Sequence, residues 1–138
     1  MWKFYAILSA LFAALTAVLA KAGLKNINPD LATAVRTVII LIISWGFVAM
    51  NGKAKDLESF TKSNWIFLSL SGIATGLSWL FYYRALQTGN TSVVSAIDKG
   101  SLLLVVLLSF LFLKEPVSPK MLIGVGVIFI GIIIVIWK

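Results

Sequence analysis

The chain has 138 residues, 60% of them hydrophobic and 12% charged, with a formal net charge of +7 and a mean hydropathy of +1.02. A water-soluble globular domain, which carries about 25% charged residues, is excluded by those values. The absence of Cys and His removes disulfide scaffolds, thiol nucleophiles, thiolate or imidazole metal sites and the Ser/His/Asp triad, so neither an enzyme of those kinds nor a metal or cofactor is expected.

The basic residues sit singly at the edges of apolar runs rather than clustered on one face. That pattern matches lipid headgroups and not nucleic acid. A membrane-crossing helix takes about 20 mainly apolar residues, so five of them occupy about 100 positions and leave short loops, with no room among these residues for a separate soluble domain.

The first expected span is 4–20, bracketed by Lys3 and Lys21. Its Ala17-Val18-Leu19-Ala20 end resembles a small-residue cleavage site, but the run exceeds the apolar stretch of a secretory signal and four more follow, so it reads as a retained helix. The second span, 31–50, follows Asn28-Pro29-Asp30, which supplies a turn and an N-cap oxygen, and its only charge is Arg36. Residues 51–64, with Lys53, Lys55, Asp56, Glu58 and Lys62, form the one sizeable exposed loop before a third span at 65–83.

The fourth span, 91–113, starts after the breaker-rich Gln87-Thr88-Gly89-Asn90 and carries Asp98 and Lys99. The fifth, 121–137, follows a turn marked by Pro116 and Pro119, and Lys138 closes it at the interface. The expected fold class is an all-α integral membrane bundle of five transmembrane helices, residues 1–138 forming one domain in the cell membrane.

With an odd number of spans the two ends of the chain lie on opposite sides. Lys3, Lys53, Lys55, Lys62, Lys114 and Lys120 fall on the N-terminal side, face A; Lys21, Lys25, Arg36, Arg84, Lys99 and Lys138 fall on face B. The twelve basic residues thus divide equally, and setting aside the intramembrane Arg36 and Lys99 leaves only a small excess on face A. Orientation follows an excess of Lys and Arg on cytoplasmic loops, so the chain carries weak instructions about which way up to sit. One reading is a single orientation set by that small excess or by a partner; the other is insertion both ways to form an inverted pair.

A charge in mid-helix costs about 2.5–3.5 kcal/mol on insertion scales, so Arg36, Asp98 and Lys99 need an explanation. Spans two and four both start from face B, and with a rise of 1.5 Å per residue Arg36 and Asp98 each lie about 10 Å in. If the spans are neighbours, Arg36 pairs with Asp98, and Lys99 either snorkels to face B or joins them. The surplus positive charge would draw an anionic or zwitterionic group, with Asp98 a candidate proton carrier or counter-ion. A purely structural ion pair between two helices satisfies the same residues. Thr91, Ser95, Asp98 and Ser109 fall near one helical stripe, giving the fourth span a polar face.

Trp79 lies near the same layer and could line a substrate path or hold a cation. Tyr82 and Tyr83, like Trp2, Tyr5, Trp65 and Trp137, sit at span ends, where aromatic rings anchor to headgroups whatever the function; Trp45 is the other deep ring. Ala6, Ala10, Ala13 and Ala17 line one side of the first span, Gly72 and Gly76 form a GxxxG in the third, and Gly124 and Gly131 stand a heptad apart in the fifth. These small-residue faces read as helix packing or dimer contacts.

The stretch from Tyr5 to Lys21, Arg36-Thr37, Ser78-Trp79-Leu80-Phe81-Tyr82-Tyr83-Arg84-Ala85-Leu86, Leu111-Phe112-Leu113-Lys114-Glu115 and Ile123-Gly124 to Ile130-Gly131 together resemble an EamA domain of the drug/metabolite transporter superfamily over nearly the whole chain. The most specific pieces are Glu115 and the glycines seven apart, then Arg36. Most members of that family carry two such repeats in inverted orientation, forming an exporter or exchanger of small metabolites or drugs; this chain has one. The resemblance therefore implies an inverted homodimer, or a pair with a sister five-helix protein, which the even charge split would permit. Where members often have a proline, the fourth span here has Asp98-Lys99-Gly100-Ser101. The four-helix small-multidrug-resistance proteins, with an acid in their first helix, do not fit a first span that has none. A non-transporting interaction subunit that docks a larger membrane partner is the competing reading.

Overall fold

A computed structural model describes residues 1–137; Lys138, expected to close the fifth span, lies outside the described residues. These residues are all-α, with no strand among them and five stretches long and apolar enough to cross a membrane. The helices are α1 (Trp2–Gly23), α2 (Pro29–Met50), α3 (Lys62–Thr88), α4 (Thr91–Lys99), α5 (Ser101–Leu108) and α6 (Pro119–Ile136).

The helices overrun the expected spans most at α3, which has 27 residues. At 1.5 Å per residue that is about 40 Å, more than the roughly 30 Å of hydrocarbon in a bilayer. Apolar runs mark the part of a helix in hydrocarbon, while the backbone ladder continues through polar residues into the headgroup layer. Capping sets the starts of α2 and α6. The Asn28 side chain accepts from the amides of Asp30 (2.8 Å) and Leu31 (3.2 Å), and Ser118 Oγ accepts from Met121 (3.2 Å). Pro29 and Pro119 stand in the first turns, where a missing N–H costs nothing. The 51–64 loop carries a 3₁₀ turn, Lys53–Ser59, entered through Gly52 at φ 64°.

The fourth span differs from the single rod expected. α4 ends at Lys99, and the Gly100 amide donates to Ile97 O at 2.9 Å, a tight three-residue turn, before α5 resumes. At the far end Ser109–Leu113 widens into a π-helical turn. It is closed by Lys114 in the left-handed region, with the amides of Lys114 and Glu115 both directed to Ser109 O.

The chain divides into two compact units, residues 18–88 in one and Met1–Ala17 with 89–137 in the other. In the first, α2 packs on α3; in the second, α4 and α5 pack on α6. No more than 11% of any span is buried by protein, and large apolar side chains lie exposed along every helix. In water such a surface would aggregate; in hydrocarbon it is solvated.

Gly100 and Gly46 provide a paired test of the break. A Cβ added at Gly100 would stand 2.9 Å from Ile97 O, a backbone atom that cannot swing aside, whereas one at Gly46 would meet nothing within 4 Å. Gly100→Ala is expected to lower the thermal midpoint in lipid nanodiscs, by about 1–3 kcal/mol of strain. Gly46→Ala should be neutral or stabilising by up to about 1 kcal/mol, because it removes a glycine from a helix interior.

Candidate functional site

The side chains singled out by charge fall into two groups, one in each compact unit. In the unit of residues 18–88, Arg36 leaves α2 half-buried and lays its guanidinium on Trp79 of α3, with Cζ 3.4 Å from the ring centroid. That distance requires face-on stacking: an N–H pointed at the ring would hold Cζ farther off by about a C–N bond length. Tyr83, one turn along α3 from Trp79, is buried at 4% relative exposure, with its ring centroid 5.6 Å from the same Cζ. Tyr82 and Tyr83 present edges to Trp79 at 5.4 and 5.8 Å, fixing the plane on which the guanidinium rests.

Arg36 therefore has an aromatic partner in its own unit, one that matching charges by depth did not point to. Stacking uses the face of the guanidinium and none of its five N–H groups, which lie in its plane. Among the described residues of its own unit Arg36 donates no hydrogen bond and forms no ion pair. A cation on an aromatic face gains about 0.5–2 kcal/mol, less than the roughly 2.5–3.5 kcal/mol that arginine costs at the centre of a membrane helix. The ring alone does not compensate the charge.

Toward face B the same unit is closed by a polar lattice. Arg84 Nε and Nη2 each donate to one carboxylate oxygen of Asp30, both at 2.8 Å, a two-pronged ion pair that joins the end of α3 to the start of α2. Lys21 Nζ donates to the carbonyls of Leu86 (2.6 Å) and Gln87 (3.3 Å), where the last turn of α3 has no partners of its own. Gln87 Nε2 donates to Ile27 O at 3.0 Å. Leu86, fully buried, lies within this lattice.

In the other unit, Asp98 and Lys99 pair with each other at 3.3 Å in the last turn of α4, with Asp98 half-buried and Lys99 exposed. Thr91, Ser95, Asp98 and Ser109 are all partly shielded, whereas Ser101–Val105 between them is exposed. The glycines expected at helix contacts, Gly72, Gly76, Gly124 and Gly131, meet nothing within 4 Å of an added Cβ. Their faces are open in the described chain.

The structure thus joins Arg36 to Trp79 and Asp98 to Lys99. It adds two features that the sequence reading missed. Tyr83 was assigned to headgroup anchoring, although its i+4 spacing from Trp79 places both rings on one helix face. Asp30 in the turn before the second span and Arg84 just past the third carry opposite charges on the same side of the membrane, and that pairing is the signal for their contact.

Five apolar spans, two of them interrupted by Arg36 and by Asp98-Lys99, define a multi-pass integral membrane protein. The chain belongs to the EamA-like transporter family, whose sequence profile matches residues 1–137. It is also 45% identical over 130 residues to a protein of Sinorhizobium sp. described as an uncharacterized transporter in the cobO 3' region, the match covering 94% of this chain and 92% of that protein. No solved structure matches it. The protein is a transporter of the drug/metabolite kind.

The Asp30–Arg84 pair is testable by a double-mutant cycle on thermal unfolding in nanodiscs. Asp30→Asn and Arg84→Gln should each lower the midpoint, and the double variant no further than the more damaging single one. The losses should shrink in about 1 M salt, which screens half-exposed charges. Trp79→Leu should cost about 0.5–2 kcal/mol for the lost cation–π contact, and this loss should persist in salt.

Proposed function

We propose that the protein is a secondary transporter, an exporter or exchanger of small metabolites or drugs in the cell membrane, and no enzyme. It works as two five-helix copies, itself twice in inverted orientation or itself with a sister protein. The observation that carries this reading is Arg36: a charge kept within a membrane span on an aromatic platform, its hydrogen-bond donors uncommitted. A packing role would be served by an apolar residue at lower cost.

Arg36, Trp79, Ser95, Asp98 and Lys99 form the substrate or ion pathway in this reading. Counting spans along the sequence assigns each of the five to face B, and on that count inversion of one copy supplies a polar crevice to each side, with alternate closure moving the solute. The even division of basic residues between faces supports inverted insertion. The open faces at Gly72, Gly76, Gly124 and Gly131 support close packing between copies. Those same faces are the one feature favouring a non-transporting subunit that docks a larger partner.

Proteoliposome uptake across a metabolite panel separates the two. Transport predicts uptake by the wild type that falls at least tenfold in Arg36→Gln and Asp98→Asn. Unchanged uptake in both variants, together with dissociated oligomers, would establish the interaction role instead. Inverted pairing predicts that a single cysteine placed in the 51–64 loop is labelled in cells from both sides of the membrane; labelling from one side only would exclude the inverted homodimer.

A further inference from the structure

Two of the acids in the unit of Arg36 already have a basic partner. In its own unit Asp30 takes both prongs of Arg84, and Asp56, out in the 51–64 loop, is held by Lys53 at 3.6 Å. Glu58 lies in the same loop, at the opposite end of α2 from the layer of Arg36. In the other unit Asp98 is paired with Lys99. The guanidinium is left with one face on Trp79 and an in-plane edge of N–H groups that no described protein acceptor engages.

That edge has a definite chemistry. A guanidinium presents parallel N–H pairs that match the two oxygens of a carboxylate or the oxygens of a phosphate. Such recognition needs the plane held still, and here the ring beneath it is itself held by the edges of Tyr82 and Tyr83. Stacking and in-plane hydrogen bonding use different parts of the same group, so an oxyanion can bind without displacing the ring. The surroundings fit a body as well as a charge: the Trp79 face and buried Tyr83 provide an apolar, polarisable wall beside the cation. One positive charge in that unit's membrane layer matches one negative charge.

We infer that Arg36, seated on Trp79 and flanked by Tyr83, is an oxyanion subsite that takes the single carboxylate or phosphate of a small organic anion. The role of that anion as the transported solute rests on the transporter reading above; its binding does not. The same chemistry is offered by a free solute and by the phosphate of an anionic lipid, and the site is assigned here to the free solute. Arg84 is the weaker competitor for an anion, because Asp30 already accepts two of its five N–H groups and neutralises its charge.

The test uses the full chain with Trp2, Trp45, Trp65 and Trp137 changed to Phe, so that Trp79 is the sole fluorescent indole, in phosphatidylcholine nanodiscs. Benzoate is titrated against benzamide, its neutral isostere, while Trp79 emission is followed. Benzoate is expected to change the emission saturably and to bind at least tenfold more tightly than benzamide. Arg36→Lys, which keeps the charge but loses the fork and the stack, should weaken benzoate about tenfold; Arg36→Gln should erase the preference over benzamide. Circular dichroism and size exclusion establish that each variant is folded, and the benzoate–benzamide comparison needs no Arg36 variant.

Equal responses to the two probes, or a folded Arg36→Gln that keeps the preference, would overturn the subsite. So would an emission change on adding phosphatidylglycerol to the discs with none on adding benzoate, which would assign the site to lipid. Benzoate binding without uptake of any solute would uphold the subsite while refuting transport. Uptake that is indifferent to Arg36 and to solute charge would refute the subsite while leaving transport intact.

Discussion

A positive charge in hydrocarbon has to be compensated, and the part of that compensation Arg36 takes from Trp79 organises one half of this molecule. Lying flat on Trp79, the guanidinium is tied to α3 as well as to its own helix. Its stacking sets which faces of α2 and α3 meet, and the two tyrosine edges hold the indole in place. The polar lattice nearer the headgroups completes the arrangement. Lys21 closes the end of α3, and Asp30 with Arg84 ties that end to the first turn of α2. Each contact there satisfies a group that would otherwise be stranded at a helix end or left charged without a partner.

The five spans were readable because hydrocarbon demands long apolar runs, and few other constraints produce them. Their ends were less readable, because a helix continues past the apolar run on its own backbone hydrogen bonds, as α3 does from 83 to Thr88. The break at Gly100 was invisible to any count of apolar residues. Its trace was Asp98-Lys99-Gly100-Ser101, a polar interruption with a glycine in a run that should have had neither. Arg36 stood out as the lone charge of its span, but its partner did not. Charge counting looks for an acid at equal depth and does not see an aromatic face, which is the contact Arg36 makes within its own unit. Tyr83 was obscured by a competing regularity, the gathering of aromatics at membrane interfaces.

Membership of the EamA-like transporters says what class of work the protein does. The Arg36–Trp79 and Asp98–Lys99 groups say which charged side chains its spans hold and what each of them touches. One group offers a fixed cation with its donors exposed. The other offers a half-buried acid held close to its own counter-charge. Two charged centres of unlike character are what a carrier needs if one is to recognise a solute and the other to respond to an ion.

The scarcity of buried side chains has a practical corollary. Only a few residues, such as Leu24, Leu86, Val106 and Val125, are shielded by the rest of the fold. For most of each helix the surrounding acyl chains therefore do the job that a packed protein core does elsewhere, and they belong to the structure as surely as its own methyl groups. Detergent replaces that interior rather than merely coating it. The fold should be unusually sensitive to micelle thickness and chain length, and a harsh short-chain detergent would act on it much as a core mutation acts on a soluble enzyme.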